Sequence, residues 1–218
     1  MAPQPSFPAA RSPLRGSLIC GIFIGGPGRR MGGLPKGLLP SPEPGQRTLV
    51  GRLSDLVARH GLPVYLVGEH ADYADLGLPF LTDTPVGVGP LGGLAALLGR
   101  AAEVGSTGAL ALACDLPYLD DTLLLRLLHV DGDTFDAFVP RRSSADPFEP
   151  LCARYALSAR PAIAAALAND QRSLQRLLSR LRVQTLPISD EEAQQVRDWD
   201  RPEDLPPSLR PRTEKRAD

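Results

Sequence analysis

Four stretches of the chain carry residues whose types and spacing suit phosphate chemistry. The first reads Gly25-Gly26-Pro27-Gly28-Arg29-Arg30-Met31-Gly32-Gly33-Leu34-Pro35-Lys36-Gly37. Glycines let a backbone approach a phosphate chain closely, and the freed amides can turn inward as an anion nest. Arg30 and Lys36 add the positive charge that a triphosphate demands. Asp115 follows the apolar run Leu110–Cys114. A carboxylate there suits Mg²⁺, which takes one or two protein carboxylates together with substrate phosphates. Asp198 and Asp200 flank Trp199 and fall on the same side of an extended segment, where side chains alternate with a period of 2. Asp83 stands ahead of the turn Val86-Gly87-Val88-Gly89-Pro90-Leu91 and offers a further acceptor group.

Each stretch also has a plainer role open to it. Gly25–Gly37 would serve as a flexible turn with two solvated cations. Asp115 would cap the helix that follows it, Asp83 would brace its own loop, and Asp200 would open a helix ahead of Pro202. Spacing excludes two familiar phosphate loops. The pattern GxxxxGK[ST] fails because Gly37 follows Lys36, and GxGxxG fails because Met31 holds the third glycine position counted from Gly26.

These residues need elements to hold them. Ser17–Ile24 is a short apolar run stopped by glycines, as a buried parallel strand would be. Thr48–His60 puts Leu49, Leu53, Leu56 and Val57 on one helical face. Strands are expected at Pro63–Val67, Pro79–Leu81, Gly108–Cys114, Phe135–Val139, Leu151–Tyr155 and Val183–Leu186. Helices are expected at Leu91–Ala102, Asp120–Leu128, Ala159–Leu167 and Leu174–Leu181. Alternating β and α, with strands apolar on both faces, predicts an α/β sheet covered by helices. In such sheets ligands bind beyond the carboxyl ends of the strands. All four stretches lie after an expected strand.

With 218 residues, 43 % of them hydrophobic, the chain suits one domain with a sizeable core. The proline-rich segment 1–16 reads as a disordered leader, 17–206 as the domain and 207–218 as a disordered tail. Twenty-four basic residues against 25 acidic ones give no electrostatic reason for a nucleic-acid partner. No apolar run approaches the roughly 18–20 residues that span a bilayer, so no membrane partner is expected. Cys20, Cys114 and Cys152 are widely spaced and outside any CxxC pattern. A cytoplasmic location is expected. His60, His70 and His129 read as surface or boundary residues.

Phe23-Ile24-Gly25-Gly26-x-x-Arg29-Arg30-Met31-Gly32, followed by Lys36-Gly37-Leu38-Leu39, resembles the Leu-Ala-Gly-Gly…Arg-Met-Gly…Asp-Lys-Gly-Leu signature of molybdenum cofactor guanylyltransferases, the MobA-like NTP transferases. Ile24 stands where the family has Ala, and Pro35 where it has Asp. Cys114-Asp115-Leu116-Pro117 resembles the family's Cys-Asp-Thr-Pro. Asp83…Gly89-Pro90-Leu91-Gly92-Gly93 resembles its Asp…Gly-Pro-Leu-Ala-Gly. Asp198-Trp199-Asp200-Arg201-Pro202-Glu203-Asp204-Leu205 resembles its Asn-x-Asn-Thr-Pro-Glu-Glu-Leu. Glu149-Pro150-Leu151 is similar to a Pro-Leu strand near the acceptor. The resemblance spans about Leu18–Leu205.

It implies a three-layer α/β/α sandwich with a mostly parallel, twisted sheet, a Rossmann-like nucleotidyltransferase (GT-A-like) domain. It also implies Mg²⁺-dependent transfer of a nucleoside monophosphate, GMP from GTP, onto molybdopterin with release of pyrophosphate. Arg30, Lys36 and Asp115 take the catalytic roles by matching position. Phe23, Ile24, Gly25, Gly26, Gly28, Lys36, Asp83, Gly89, Pro90, Leu91 and Asp115 would surround the nucleotide, and Asp115 with Asp200 would hold the metal. The family's Asn facing the base corresponds here to Val67 or Gly68. CTP in place of GTP, a sugar phosphate as acceptor, and nucleotide binding without turnover remain alternatives.

Overall fold

Residues 17–25, 35–43, 45, 48–130 and 134–210 are described by the structure, a computed structural model. The chain runs β1 (Leu18–Phe23), α1 (Leu49–Ala58), β2 (Val64–Val67), β3 (Phe80–Leu81), α2 (Pro90–Glu103), β4 (Gly108–Ala113), α3 (Asp121–Leu128), β5 (Ala137–Arg141), β6 (Cys152–Ala156), α4 (Arg160–Ala168), α5 (Leu174–Leu178) and β7 (Val183–Pro187). The seven strands form one sheet in the order β3-β2-β1-β4-β6-β5-β7. Among the described residues only the β6 pairings, with β4 and with β5, are antiparallel.

Side-chain alternation along the strands sorts the core into two layers. Cys20, Ile22 and Ile24 face α1 and α3, packing with Val50, Leu53, Leu56, Leu123 and Leu127. Ile19 and Phe23 face the other way, against Leu91, Leu94, Leu97 and Leu98 of α2 and the apolar faces of α4 and α5. With helices on both faces, the fold is the expected α/β/α sandwich. Each fully buried Leu in these layers contributes about 1.5–3 kcal/mol.

Local signals set the helix starts. Thr48 accepts a hydrogen bond from the Gly51 N–H at 3.0 Å and caps α1. Gly89, at φ +75°, precedes Pro90 in the first turn of α2. Most expected elements lie within two residues of those observed. The strand expected at Phe135–Val139 occupies Ala137–Arg141, with Asp136 just ahead of it: its N–H donates to the Arg182 carbonyl at 2.9 Å and its carbonyl accepts from the Ala156 N–H at 3.0 Å. The helix expected to reach Leu181 stops at Leu178. Within the segment read as a tail, Pro207–Leu209 form a 3-10 turn, and Leu209 packs against the cluster of Leu49, Trp199 and Leu205. The leader 1–16 and residues 211–218 lie outside the described residues. Among the described residues no helix is long and apolar enough to cross a membrane.

Candidate active site

Strand order locates the crevice. The chain leaves β1 toward β2 on one side, while β4 lies on the other, so the connections diverge at the β1/β4 boundary. Ligands of open α/β sheets sit at such a switch point, beyond the carboxyl ends of the strands. Phe23 pairs with Ala113, and the Cys114 N–H donates to the Phe23 carbonyl at 3.1 Å, so both strands end side by side. β5 and β7 run in the same direction as β4, so the segments after them open onto this edge as well.

Lys36 reaches the crevice from a 3-10 turn, Lys36–Leu38. Gly37 seats that turn. A β-carbon on it would lie 2.5 Å from Val50 Cγ2 and 2.9 Å from the Tyr73 hydroxyl oxygen. The Gly37 N–H donates to that hydroxyl at 3.0 Å. Lys36 Nζ then donates to Asp115 Oδ2 at 2.9 Å and to Asp200 Oδ1 at 2.6 Å, joining groups 79 and 164 residues distant. Burial pulls the Lys36 ammonium toward the neutral form. Its bonds to Asp200 and Asp115 outweigh this and hold its pKa above the ordinary lysine value.

Asp198 completes the group. One carboxylate oxygen from each of Asp115, Asp198 and Asp200 falls within 4.8 Å of the others. Trp199, 1 % exposed, turns the opposite way and packs with Leu49 and Leu205. Its ring meets Tyr118 edge-on at 6.1 Å. Burial, then the charges of Asp115 and Asp200, raise the Asp198 carboxyl above the usual carboxylate range, while Lys36 opposes the rise. Anionic oxygens crowded in this way repel one another and favour a cation among them. The donor set, carboxylate oxygen alone, fits a hard ion such as Mg²⁺. Helix capping does not compete for Asp115. That role falls to Asp120, whose Oδ1 accepts from the Thr122 and Leu123 N–H groups at 2.8 and 3.2 Å.

The loops after β2 and β3 border the other side of β1. Gly68, at φ +105°, lets the two backbones meet: a β-carbon there would stand 3.2 Å from Gly25 Cα and N. Asp83 lies over the start of α2, where a β-carbon on Gly93 would come within 3.2 Å of its Oδ1 and 2.9 Å of the Phe23 ring. Burial, then the charge of Glu69, raises the Asp83 carboxyl. Glu69 accepts from the Thr82 hydroxyl at 2.6 Å. The side chains of Phe23 and Ile24 are buried in opposite core layers, and Leu91 is wholly enclosed. Leu91 can therefore meet a ligand only through its backbone. Gly26, Gly28 and Arg30 lie outside the described residues.

Sequence reasoning put Asp198 and Asp200 on one side and chose Asp200 of the two as the partner of Asp115; the structure brings both beside it. Glu69 was missed, since no motif gave a signal for it. Glu149 was read only as part of a weak match. Burial and the charge of Asp198 push its carboxyl up to about 7.

Residues 20–185 match the family model of the MobA-like NTP transferase domain. A protein of Methanothermobacter thermautotrophicus named probable molybdenum cofactor guanylyltransferase is 34 % identical over 196 residues, covering 84 % of this chain and 95 % of that protein. One of the same name from Opitutus terrae is 30 % identical, covering 86 % and 93 %. Among solved structures, the molybdopterin-guanine dinucleotide biosynthesis protein A of Archaeoglobus fulgidus superposes with a TM-score of 0.67 at 24 % identity, over 86 % of this chain and 94 % of that one. The 2-C-methyl-D-erythritol 4-phosphate cytidylyltransferase of Thermus thermophilus gives 0.54 at 18 % identity, over 84 % and 93 %. At these identities the two structures speak for the fold.

Proposed function

Because the chain belongs to the MobA-like NTP transferase domain family, we propose that it transfers GMP from GTP to molybdopterin and releases pyrophosphate. The observation that carries this reading is the Lys36 ammonium held between Asp115 and Asp200 at the switch point of the sheet. A cation and a carboxylate group fixed at one crevice are the parts that phosphoryl chemistry needs. Such transfers depend on alignment and charge stabilisation more than on a protein nucleophile.

An oxygen of the acceptor phosphate attacks the α-phosphorus of GTP. The bond from the α-phosphorus to the bridging oxygen breaks, and that oxygen leaves with pyrophosphate. The attacking oxygen is already ionised, so no general base is required. Lys36, with Arg30, stabilises the charge that builds on the departing pyrophosphate. Asp83 accepts from guanine N1–H and N2–H. Mg²⁺, held by Asp115 and Asp200 with Asp198 beside them, would neutralise charge on the phosphate oxygens. A cytoplasmic location goes with this reading, since nucleoside triphosphates are made there. Three unpaired, buried cysteines agree with a reducing compartment.

The test mixes the protein with Mg²⁺, molybdopterin and each nucleoside triphosphate in turn, and measures pyrophosphate. GTP alone should support turnover, and chelation of Mg²⁺ should stop it. Turnover with CTP in preference to GTP would replace the guanylyl reading with a cytidylyl one. Tight nucleotide binding with no product from any acceptor would make the chain a binding protein.

A further inference from the structure

A cavity of about 360 Å³ opens between the segments that follow β5 and β7. Pro140, Pro147, Ile188 and Val196 give it an apolar wall, and Asp198 of the carboxylate group lines it too. Asp198 thus borders both this cavity and the carboxylate group at Lys36.

Its cations are not equivalent. Arg142 is paired with Asp146 and Asp190, and Arg197 with Asp204. Arg141 is held differently. Its Nε donates to the Asp146 carbonyl at 2.9 Å, its Nη2 donates to the Ser144 carbonyl, and its guanidinium lies 4.4 Å from the Phe148 ring centre. All of these partners are neutral, and among the described residues no carboxylate pairs with Arg141. A guanidinium carries five N–H donors in a rigid fork, so neutral contacts of this kind fix its direction and leave its charge uncompensated. Of the acids lining the cavity, Asp146 is engaged by Arg142 and Ser143, burial and the charge of Asp198 hold Glu149 toward its neutral form, and Asp198 belongs to the carboxylate group with Asp115 and Asp200. An oriented, uncompensated arginine beside an apolar wall suits a phosphate monoester with a flat or apolar body.

We propose that Arg141 binds the phosphate of the acceptor and delivers it to the carboxylate group, with the acceptor's body on the apolar wall. This rests on the nucleotidyl-transfer reading above and names the acceptor half of that site. Arg141 then acts on the acceptor alone and leaves GTP to the loops after β1, β2 and β3.

Steady-state kinetics of Arg141→Gln with GTP and molybdopterin test this. The acceptor KM should rise about 10- to 100-fold, the scale of one charge-assisted hydrogen bond, with the GTP KM unchanged. Arg141→Lys, which keeps the charge and loses the fork, should recover part of the loss. It also carries the test should Arg141→Gln fail to fold, with a rise of several-fold expected. An unmoved acceptor KM, or a GTP KM that moves in step with it, overturns the assignment. A second arm needs no turnover: NMR titration of wild type and variant with phenyl phosphate, expected to bind at least about tenfold more weakly to Arg141→Gln. If wild type transfers nothing to molybdopterin yet binds phenyl phosphate through Arg141, the choice of acceptor fails and the subsite stands. Equal binding by the two proteins removes the subsite.

Discussion

The Trp199 backbone N–H donates to the carbonyl oxygen of Asp115 at 3.1 Å, tying the last segment of the domain to the end of β4. The indole below this bond sits among Leu49 and Leu205, so one side chain pins Asp198 and Asp200 beside Asp115. Trp199→Ala should lose about 3–5 kcal/mol in urea unfolding, the range for emptying a large aromatic site. It should also weaken the dependence of activity on Mg²⁺ concentration. The Trp199 Nε1 has no partner among the described residues, so Trp199→Phe forfeits no hydrogen bond and should cost about 1 kcal/mol. Equal losses from the two variants would show that packing at this site does not set the anchor.

Lys36→Ala should leave the circular dichroism spectrum intact and lower kcat by about 10²–10³-fold, the scale of one removed charge donor at a reacting phosphate. The variant also leaves Asp115, Asp198 and Asp200 facing one another without the ammonium. Added Mg²⁺ should therefore raise its melting temperature more than that of the wild type. An unchanged kcat removes Lys36 from the mechanism.

Gly37→Ala inserts a methyl group where Val50 Cγ2 would stand 2.5 Å away and the Tyr73 hydroxyl 2.9 Å away. Overpacking of this kind costs about 1–3 kcal/mol. The turn must move outward to relieve it, carrying Lys36 from its carboxylates. A fall in kcat alongside the loss of stability is expected. A stability loss with full kcat would show that Lys36 reaches its position without the turn.

Asp136 gives an acid signature away from the site. The Arg182 guanidinium and the Ser158 hydroxyl hold its carboxyl well below the usual carboxylate range, against the opposing effect of burial. A depressed folded pKa adds stability above the unfolded value, near pH 4, and the gain disappears as pH falls through the folded value. Asp136→Asn should cost about 1–3 kcal/mol at pH 7 by chemical denaturation. The gap should narrow as the buffer is taken from pH 4 toward 2. A gap independent of pH would assign the loss to packing.

The sequence by itself determined the elements and their local chemistry. Alternating apolar runs marked the strands, the 3.6-residue spacing of Leu49, Leu53 and Leu56 marked α1, and the two-residue repeat put Asp198 and Asp200 on one side. Such signals are local, because backbone geometry fixes which neighbours share a face. Only the tertiary structure decided that β6 runs against β4, that Asp198 joins Asp115, and that Lys36 lies between acids 79 and 164 residues away. It also decided that Arg141, one arginine among many in the chain, is held by neutral partners at a cavity wall. Partners this far apart meet through the order and direction of the strands. Those depend on how whole elements bury their faces together, which no short stretch of residues encodes.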